Sequence, residues 1–409
     1  MIFNVGLSHA RAAVAVAGLS LACPLLAACG DEIAPGPDKL APLPPTTPRE
    51  KGPYAVGVTT FETTDGEPGG RTLPVEVWYP ATPPQAAPPA HYQLMLGSLV
   101  IADMGSPLGA VRDATADPRG APHPVVIFSH GFGGVRFQSI YLTEYLASHG
   151  FVVAAPDHVG NTFHEQVDKA SAISGIEAAR LRPIDVSRTL DALLDRSALP
   201  SGLLSGQADP SRVGIAGHSF GGFTAFRIAG ATLDVKTLAA QCEGPSPSAI
   251  CDGYGQGPLP PVSARDDRFI AAIPQAPGIA SIFGPEGFGA IAVPTMIQGG
   301  LLDETMPFAT EQAAPFAELT VPAYLVGIDR GGHFTFSNMC DLLDLLSLDL
   351  DAFDDGCGAA NIPASEAHPA INRFATAFAL VTIAGDTTFA DELDPAVDLP
   401  PAVASFAAR

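Results

Sequence analysis

Short apolar runs alternate with stretches of helical periodicity along most of the chain. The apolar runs have the unbroken character of strands buried on both faces of a sheet. They cover residues 125–128, 152–155, 213–216, 269–273, 295–298 and 324–328. Helical patterns separate them, at residues 137–148, 178–196, 222–229 and 308–318. This alternation predicts a mostly parallel sheet covered by helices on both faces.

The segment before these units has a different pattern. Residues 55–62 and 73–79 read as two strands joined by the turn-rich stretch 64–70, which brings the predicted sheet to about eight strands. Residues 81–119 are rich in Pro, Gly and Asp. They are interpreted either as a loop or cap over a pocket or as surface filler. Ligands of such sheets bind beyond the carboxyl ends of the strands, so the chemistry is expected there.

The first residues have the pattern of an export signal. A thin positive start is followed by an apolar run that is too short for a permanent membrane span. The segment closes with the letters LAAC, which resemble the lipobox of bacterial lipoproteins. Residues 1–28 are therefore predicted to be a signal peptide and Cys29 the lipid attachment site, with Cys23 a weaker candidate. The alternative is ordinary signal cleavage followed by full secretion.

Composition divides the remaining chain into a tether and one domain. Residues 29–53 are crowded with proline and lack periodicity, which predicts an extended tether. Residues 54–409 are predicted to form a single catalytic domain. The protein is expected outside the cytoplasm, either membrane-anchored by lipid alone or secreted.

Four cysteines lie in the predicted domain, in two pairs that are local in sequence. The pairs are Cys242 with Cys251 and Cys340 with Cys357. An even number of cysteines in an exported protein favours disulfides over metal ligands.

The charge balance is strongly acidic. Acidic residues outnumber basic ones 43 to 21, giving a formal net charge of -22. Phosphate binding needs a basic surface, so a nucleic-acid partner is not expected. No zinc-type spacing of His or Cys occurs, and no metal or other cofactor is expected. An ion bound by the acidic residues 349–355 is a weaker interpretation than a solvated charge run.

The strongest motif is GHSFGG at residues 217–222, directly after a predicted strand. A G-x-S-x-G between strand and helix is typical of a nucleophile elbow, a tight turn that exposes the serine. The flanking glycines are expected because side chains there would collide with the neighbouring strand and helix. Ser219 is thus the candidate nucleophile, and it requires a base within hydrogen-bond reach.

His333 is the predicted base, because it follows the last predicted strand within a glycine-rich turn. Asp303 follows the strand before it and is the predicted acid that orients the base, with Glu304 as an alternative. The order Ser219, Asp303, His333 is the chain order of α/β-hydrolases. His218 is expected to point away from the serine, whereas His130, His158 and His164 are expected at the same sheet edge, where they could line the pocket.

A glycine-rich turn also follows the strand at 125–128. It reads SHGFGG over residues 129–134. The backbone N–H groups of Phe132 and Phe220 are predicted to form an oxyanion hole. The turn lacks the lysine of a phosphate-binding P-loop, so a phosphate cradle is disfavoured.

With these residues in place, the chain resembles one part of the α/β-hydrolase superfamily. Residues 124–157 and the GHSFGG elbow are similar to bacterial predicted dienelactone hydrolases, to the type II platelet-activating-factor acetylhydrolase group and to cutinase-like polyester hydrolases. Dienelactone hydrolase itself uses cysteine where this chain has Ser219. The acetylhydrolase group places its acid where residues 273–276 carry no carboxylate, so the position of Asp303 favours the polyesterase-like arrangement.

These residues and the resemblance predict a serine carboxylic ester hydrolase. An acyl pocket is expected around Phe132, Phe220 and Phe223, suited to short or medium acyl esters, with lipid or polyester substrates as further candidates. A serine peptidase or acyltransferase on the same fold is one alternative. A non-catalytic binding protein is another.

Overall fold

The computed structural model describes residues 40–64, 66, 70–82, 86–245, 247–346 and 354–409. The predicted signal peptide, Cys29 and the first part of the predicted tether lie outside these residues. The end of that tether contacts the domain: Pro48 is buried, and its carbonyl accepts a hydrogen bond of 3.1 Å from the Tyr145 hydroxyl. No helix among the described residues is long and apolar enough to cross a membrane.

Strands and helices follow one another as the sequence patterns predict. The strands are β1 (Ala55–Thr64), β2 (Thr72–Ala81), β3 (His91–Leu96), β4 (Leu99–Gly105), β5 (Val111–Arg112), β6 (His123–Ser129), β7 (Val152–Pro156), β8 (Ala208–His218), β9 (Phe269–Gln275), β10 (Thr295–Gly300), β11 (Ala323–Ile328) and β12 (Val403–Ala408). The helices are α1 (Ile140–Ser148), α2 (Phe163–Val167), α3 (Gly175–Ala198), α4 (Phe220–Ala229), α5 (Val235–Cys242), α6 (Gly284–Gly289), α7 (Ala314–Glu318), α8 (Met339–Leu345), the single turn α9 (Asp354–Cys357) and α10 (Ala364–Ala379).

Within the described chain, ten of these strands form one sheet, in the order β12-β11-β10-β9-β8-β6-β7-β2-β1-β5. Its centre, from β7 through β6 to β11, is parallel. Antiparallel partners lie at its sides, where β2 pairs with β7 and β12 with β11. The prediction of a mostly parallel α/β sheet is confirmed, but about eight strands was too few. The short β5 and the C-terminal β12 account for the difference, because neither has a long apolar run.

The sheet separates two apolar cores. Successive residues of β6 point to opposite faces, so that Val126 and Phe128 enter one core and Val125 and Ile127 the other. The first core is packed against helices α1 and α10, and the second against α3 and α4. Both faces of the central strands are therefore buried, which is why these strands are apolar without alternation.

The segment 81–119, for which the sequence left two interpretations, carries a hairpin. Strands β3 and β4 pair with each other in a separate two-stranded sheet. The hairpin residues Leu94 and Met104 face a small cavity of about 30 Å³ that also borders the glycine-rich turn at Gly133 and Gly134. The segment is thus an ordered element beside the predicted site.

Both predicted cysteine pairs are disulfide-bonded. Cys242 is joined to Cys251 and Cys340 to Cys357. Each bond closes a short loop near the carboxyl ends of the parallel strands, where the candidate site lies.

Candidate functional site

Ser219 occupies a strained turn between β8 and α4. Its backbone has φ 58° and ψ -118°, a region that costs a non-glycine residue free energy and that occurs mainly at functional sites. Its own amide donates to the carbonyl of Gln275 at 2.9 Å, and its carbonyl accepts from Gly278 at 3.0 Å. A Cβ at Gly221 would overlap the backbone of Ser129 on β6. The glycine is therefore required by the close approach of the helix to the sheet, as the motif predicts.

His333 and Asp303 meet Ser219 at the same sheet edge. The Nε2 atom of His333 lies 2.8 Å from the hydroxyl oxygen of Ser219. The Nδ1 atom of His333 lies 3.0 Å from Oδ2 of Asp303. Asp303 and His333 follow the parallel strands β10 and β11, whose carboxyl ends adjoin. The structure thus brings together the three side chains that the sequence singled out.

The carboxylate that faces the base belongs to Asp303 rather than to the alternative, Glu304. Asp303 is buried, and its second oxygen accepts a hydrogen bond of 2.6 Å from the Met306 amide. Burial raises the pKa of Asp303, and the hydrogen bond with His333 opposes that rise. Glu304 is exposed. A carboxylate held from both sides can fix the tautomer of the imidazole that it contacts.

The predicted oxyanion-hole residues lie beside the serine. Phe132, Ser219 and Phe220 line one cavity together, and the rings of the two phenylalanines are 6.1 Å apart. The amides of Phe132 and Phe220 make no hydrogen bond to any part of the chain that the structure describes. Two unpaired backbone donors next to a serine hydroxyl can stabilise an oxyanion.

Arg182, which the sequence analysis did not single out, supports the glycine-rich turn on its buried side. Its guanidinium donates to the carbonyls of His130 at 2.5 Å and Gly131 at 2.8 Å, and to Oδ1 of Asn161 at 2.7 Å. It also lies 4.8 Å from the centre of the Phe220 ring. Because the carbonyls are bound to the buried arginine, the following amide of Phe132 is free to face the cavity.

Two of the histidines expected to line the pocket are instead buried beneath the turn, so that expectation was wrong for them. His158 connects Ser129, at 2.9 Å, to Asp185, at 2.8 Å, and its backbone amide donates to His130 at 3.0 Å. Burial, together with the charge of Arg182, lowers the pKa of both imidazoles well below the ordinary value. This second Ser-His-Asp arrangement is fully buried, so it supports the turn and cannot meet a substrate. His164 is exposed and lines a different cavity.

Gln138 and His218 form a buried connection between three loops of the site. The amide of Gly131 donates to Oε1 of Gln138 at 3.0 Å. Nε2 of Gln138 lies 2.9 Å from Nδ1 of His218, and Nε2 of His218 lies 2.9 Å from the carbonyl oxygen of His333. Since the carbonyl can only accept, His218 carries its proton on Nε2 and accepts from Gln138. His218 points away from the serine, as predicted, but it supports the loop of the base.

The cavity at Ser219 has a volume of about 80 Å³. Its walls are mostly apolar and come from the two phenylalanines, the loop closed by the Cys242–Cys251 disulfide, and the turns after β9 and β10. These wall residues are Phe132, Phe220, Ala249, Ile250, Ile279 and Met306. Phe223, expected in this pocket, is instead buried behind Phe220, with the two rings 5.2 Å apart. Phe223 lies one helical turn after Phe220 on the same face of α4, and at that turn the face is covered by the core rather than by the cavity.

The doubly covered parallel sheet and the turn at Ser219 between β8 and α4 are features of the α/β-hydrolase fold. Comparison with a solved structure shows that the chain has this fold. A family model described as Chlorophyllase matches residues 113–241. That match includes the glycine-rich turn and Ser219 but ends before Asp303 and His333.

Relatives with known activities are similar over about half of their length. The platelet-activating factor acetylhydrolase of Cavia porcellus is 28% identical over 234 residues, which is 44% of this chain and 51% of that protein. Cutinase 1 of Thermobifida cellulosilytica is 27% identical over 191 residues, covering 47% of this chain and 52% of that protein. The chain thus spans about half the length of these relatives.

The architecture is also similar to a solved esterase structure. A ferulic acid esterase from Streptomyces cinnamoneus superimposes with a TM-score of 0.56 and 23% sequence identity. The match covers 81% of this chain and 91% of the esterase. It establishes the fold over nearly the whole domain.

Proposed function

We propose that this protein is a carboxylic ester hydrolase that uses Ser219 as nucleophile, His333 as base and Asp303 as the orienting acid. The observation that carries the proposal is the pair of contacts at His333, with the serine hydroxyl 2.8 Å from Nε2 and the aspartate 3.0 Å from Nδ1. A serine hydroxyl becomes an effective nucleophile only when a base can remove its proton as it attacks. The hydrolases named among its relatives support the ester as substrate.

The reaction would proceed through an acyl-enzyme. The oxygen of Ser219 attacks the ester carbonyl while its proton passes to Nε2 of His333, and Asp303 stabilises the imidazolium. The amides of Phe132 and Phe220 donate to the oxyanion. His333 then protonates the leaving alcohol as the tetrahedral intermediate collapses. Water, deprotonated by His333, attacks the acyl carbon. As this second tetrahedral intermediate collapses, His333 returns the proton to the oxygen of Ser219 and the acid is released.

The cavity supports short and medium acyl groups. Its walls are mostly apolar, and its volume of about 80 Å³ is small compared with the pockets of drug-sized ligands, which limits the length of acyl chain that fits. Phe132 is 43% exposed, so the cavity opens past this ring toward solvent. We propose that the acyl chain enters along Ile250 and Ile279 and that the alcohol part remains nearer the opening. A lipid or polymer ester could present its acyl end in this way.

The test is the hydrolysis of p-nitrophenyl butyrate by Ser219→Ala. Because the triad acts as a unit, the variant should lose roughly 10⁵-fold or more of kcat and should no longer be labelled by a fluorophosphonate. Ser201→Ala, at an exposed serine, is the matched control and should behave as wild type. Full hydrolysis by Ser219→Ala, or a wild-type protein inactive on an ester panel from acetate to decanoate, would overturn the proposal.

We also propose that the protein is exported and anchored by lipid on Cys29. That residue lies outside the described structure, and the support comes from the LAAC sequence and from two disulfides, which persist in oxidising compartments. After membrane fractionation, the Cys29→Ala variant should be found in the soluble exported fraction instead of with the membranes. An unchanged distribution would contradict the anchor.

A further inference from the structure

Asp355 connects the loop that carries the acid to the loop that carries the base. Its Oδ1 accepts a hydrogen bond of 2.8 Å from the backbone amide of His333. The same oxygen accepts from the amide of Glu304 at 3.1 Å, and Oδ2 accepts from Thr305 at 2.7 Å. One carboxylate therefore holds His333 and the two residues that follow Asp303.

The backbone around Asp355 is packed against the base loop as closely as glycine permits. A Cβ at Gly332 would lie 2.5 Å from the carbonyl carbon of Asp355, and a Cβ at Gly356 would lie 2.7 Å from the amide nitrogens of Phe334 and Thr335. Gly356 has φ 128°, a conformation that favours glycine. The amide of Gly356 also donates to Asn361 at 3.0 Å. The carboxylate is thus presented from a fixed backbone.

A covalent bond anchors the same turn. Cys357 follows Asp355 by two residues and is bonded to Cys340, which lies in helix α8, just after the base loop. The disulfide therefore ties the turn that carries Asp355 to the chain that leaves His333. A short closed loop of this kind restricts how far its members can separate.

The carboxyl of Asp355 is ionised at neutral pH. Partial burial by itself would raise its pKa, but hydrogen bonds from Thr305, His333 and Glu304 outweigh burial, and the pKa is lower than the ordinary value. Hydrogen bonds between backbone N–H groups and a carboxylate are about twice as strong as those between neutral groups. The ionised form is also the form with enough acceptor sites for all three amides.

We infer that Asp355, anchored by the Cys340–Cys357 disulfide, is a positioning residue that sets the distance between the acid Asp303 and the base His333. The inference rests on the proposed function of these two residues. Asp355 contacts the backbone of His333 and of the two residues that follow Asp303, and not the reacting atoms. Its loss should therefore misalign the base while leaving the acyl pocket, whose walls are other residues, unchanged.

The test compares Asp355→Ala and Asp355→Asn with wild type on p-nitrophenyl butyrate. The alanine variant lacks all three acceptor contacts, and a displacement of about 1 Å at a base can cost roughly 100-fold, so kcat should fall about 30- to 100-fold. The asparagine variant keeps one acceptor oxygen and should retain more activity. KM and the preference among acyl lengths should stay within about twofold of wild type. Fluorophosphonate labelling should slow in parallel with kcat.

Asp354→Asn is the matched control, because this neighbouring acid is exposed and makes no hydrogen bond to either loop within the described chain.

A double-mutant cycle tests the anchor: Cys340→Ala/Cys357→Ala should lower kcat in the wild-type background and have little further effect in Asp355→Ala. Additive losses would overturn the role of the disulfide.

Wild-type kcat in Asp355→Ala, or a rise in KM with kcat unchanged, would overturn the positioning role. If Asp355→Ala does not fold, the graded loss in Asp355→Asn and the cysteine variants still decides the matter. Failure of the proposed function has a different signature, because wild type and Asp354→Asn would then be inactive too.

Discussion

The buried imidazole of His218 predicts a loss of stability in mild acid. His218 is 2% exposed, and burial, followed by the charge of His333, lowers its pKa from 6.5 to about 3. In the unfolded chain the imidazole titrates near pH 6.5. Between these values the unfolded state binds a proton that the native state does not, so stability falls as the pH falls below about 6.5.

The magnitude follows from the two pKa values. The contribution of His218 is complete above pH 6.5 and declines by up to about 1.4 kcal/mol per pH unit below it. Between pH 7 and pH 4.5 the loss amounts to about 2.5 kcal/mol. Protonation of Nδ1 also removes the acceptor for Gln138, whose amide would have to turn away from Gly131. Acid should therefore loosen the glycine-rich turn together with the base loop.

Urea unfolding of wild type and His218→Gln across pH 7 to 4.5 measures this term. Glutamine does not titrate, and the other acidic and basic groups are shared, so they largely cancel in the difference between the two proteins. The stability advantage of wild type over the variant should shrink by about 2.5 kcal/mol across this range. His164→Gln is the control, at an exposed histidine whose ring makes no hydrogen bond to the part of the chain that the structure describes. A pH-independent difference between wild type and His218→Gln would refute the reasoning.

Two further predictions concern the cavity wall and the turn support. Ile250→Ala should open the pocket, and each extra acyl methylene that fits should gain about 0.8 kcal/mol, or about fourfold in kcat/KM relative to butyrate; an unchanged preference across p-nitrophenyl esters would remove Ile250 from the acyl site. Arg182→Met leaves the buried His130 carbonyl and the Asn161 amide oxygen without the guanidinium; each unsatisfied buried acceptor costs about 1–3 kcal/mol, so urea unfolding should show a loss of about 3–5 kcal/mol. Arg180→Met, at a half-buried helix position, is its control, and a loss below about 1 kcal/mol for Arg182→Met would contradict the support role.

The parts of the fold that the sequence predicts are those with a local signal. Buried parallel strands have continuous apolar runs, and a glycine-flanked serine between strand and helix has few other structural uses. The sheet was therefore predicted nearly in full, and Ser219, Asp303 and His333 lie together as expected. The hairpin within residues 81–119 and strand β12 lack such runs, because their residues are partly exposed. In the described chain β3 pairs only with β4, and β12 only with β11.

The supporting residues had no local signal. Gln138 contacts His218 across 80 positions, and Arg182 reaches His130 across 52. Asp355 belongs to an acidic stretch that resembles a solvated charge run, and only the folded chain turns its carboxylate inward. A polar residue in a helix or turn is ordinary in sequence. Its burial depends on which distant backbone groups it meets, and neither periodicity nor spacing encodes those partners.

The contacts among Ser219, His333 and Asp303 would by themselves hold the candidate site weakly. A hydrogen bond between neutral groups adds only about 1 kcal/mol to stability, and the bond between Ser219 and His333 would have to break in the proposed acylation of the serine. Precision must therefore come from groups that keep their partners throughout the proposed reaction. Arg182 at the turn, His218 at the base and Asp355 between base and acid meet that requirement, since each binds backbone. Substitutions at these positions should consequently alter turnover without changing which ester is preferred.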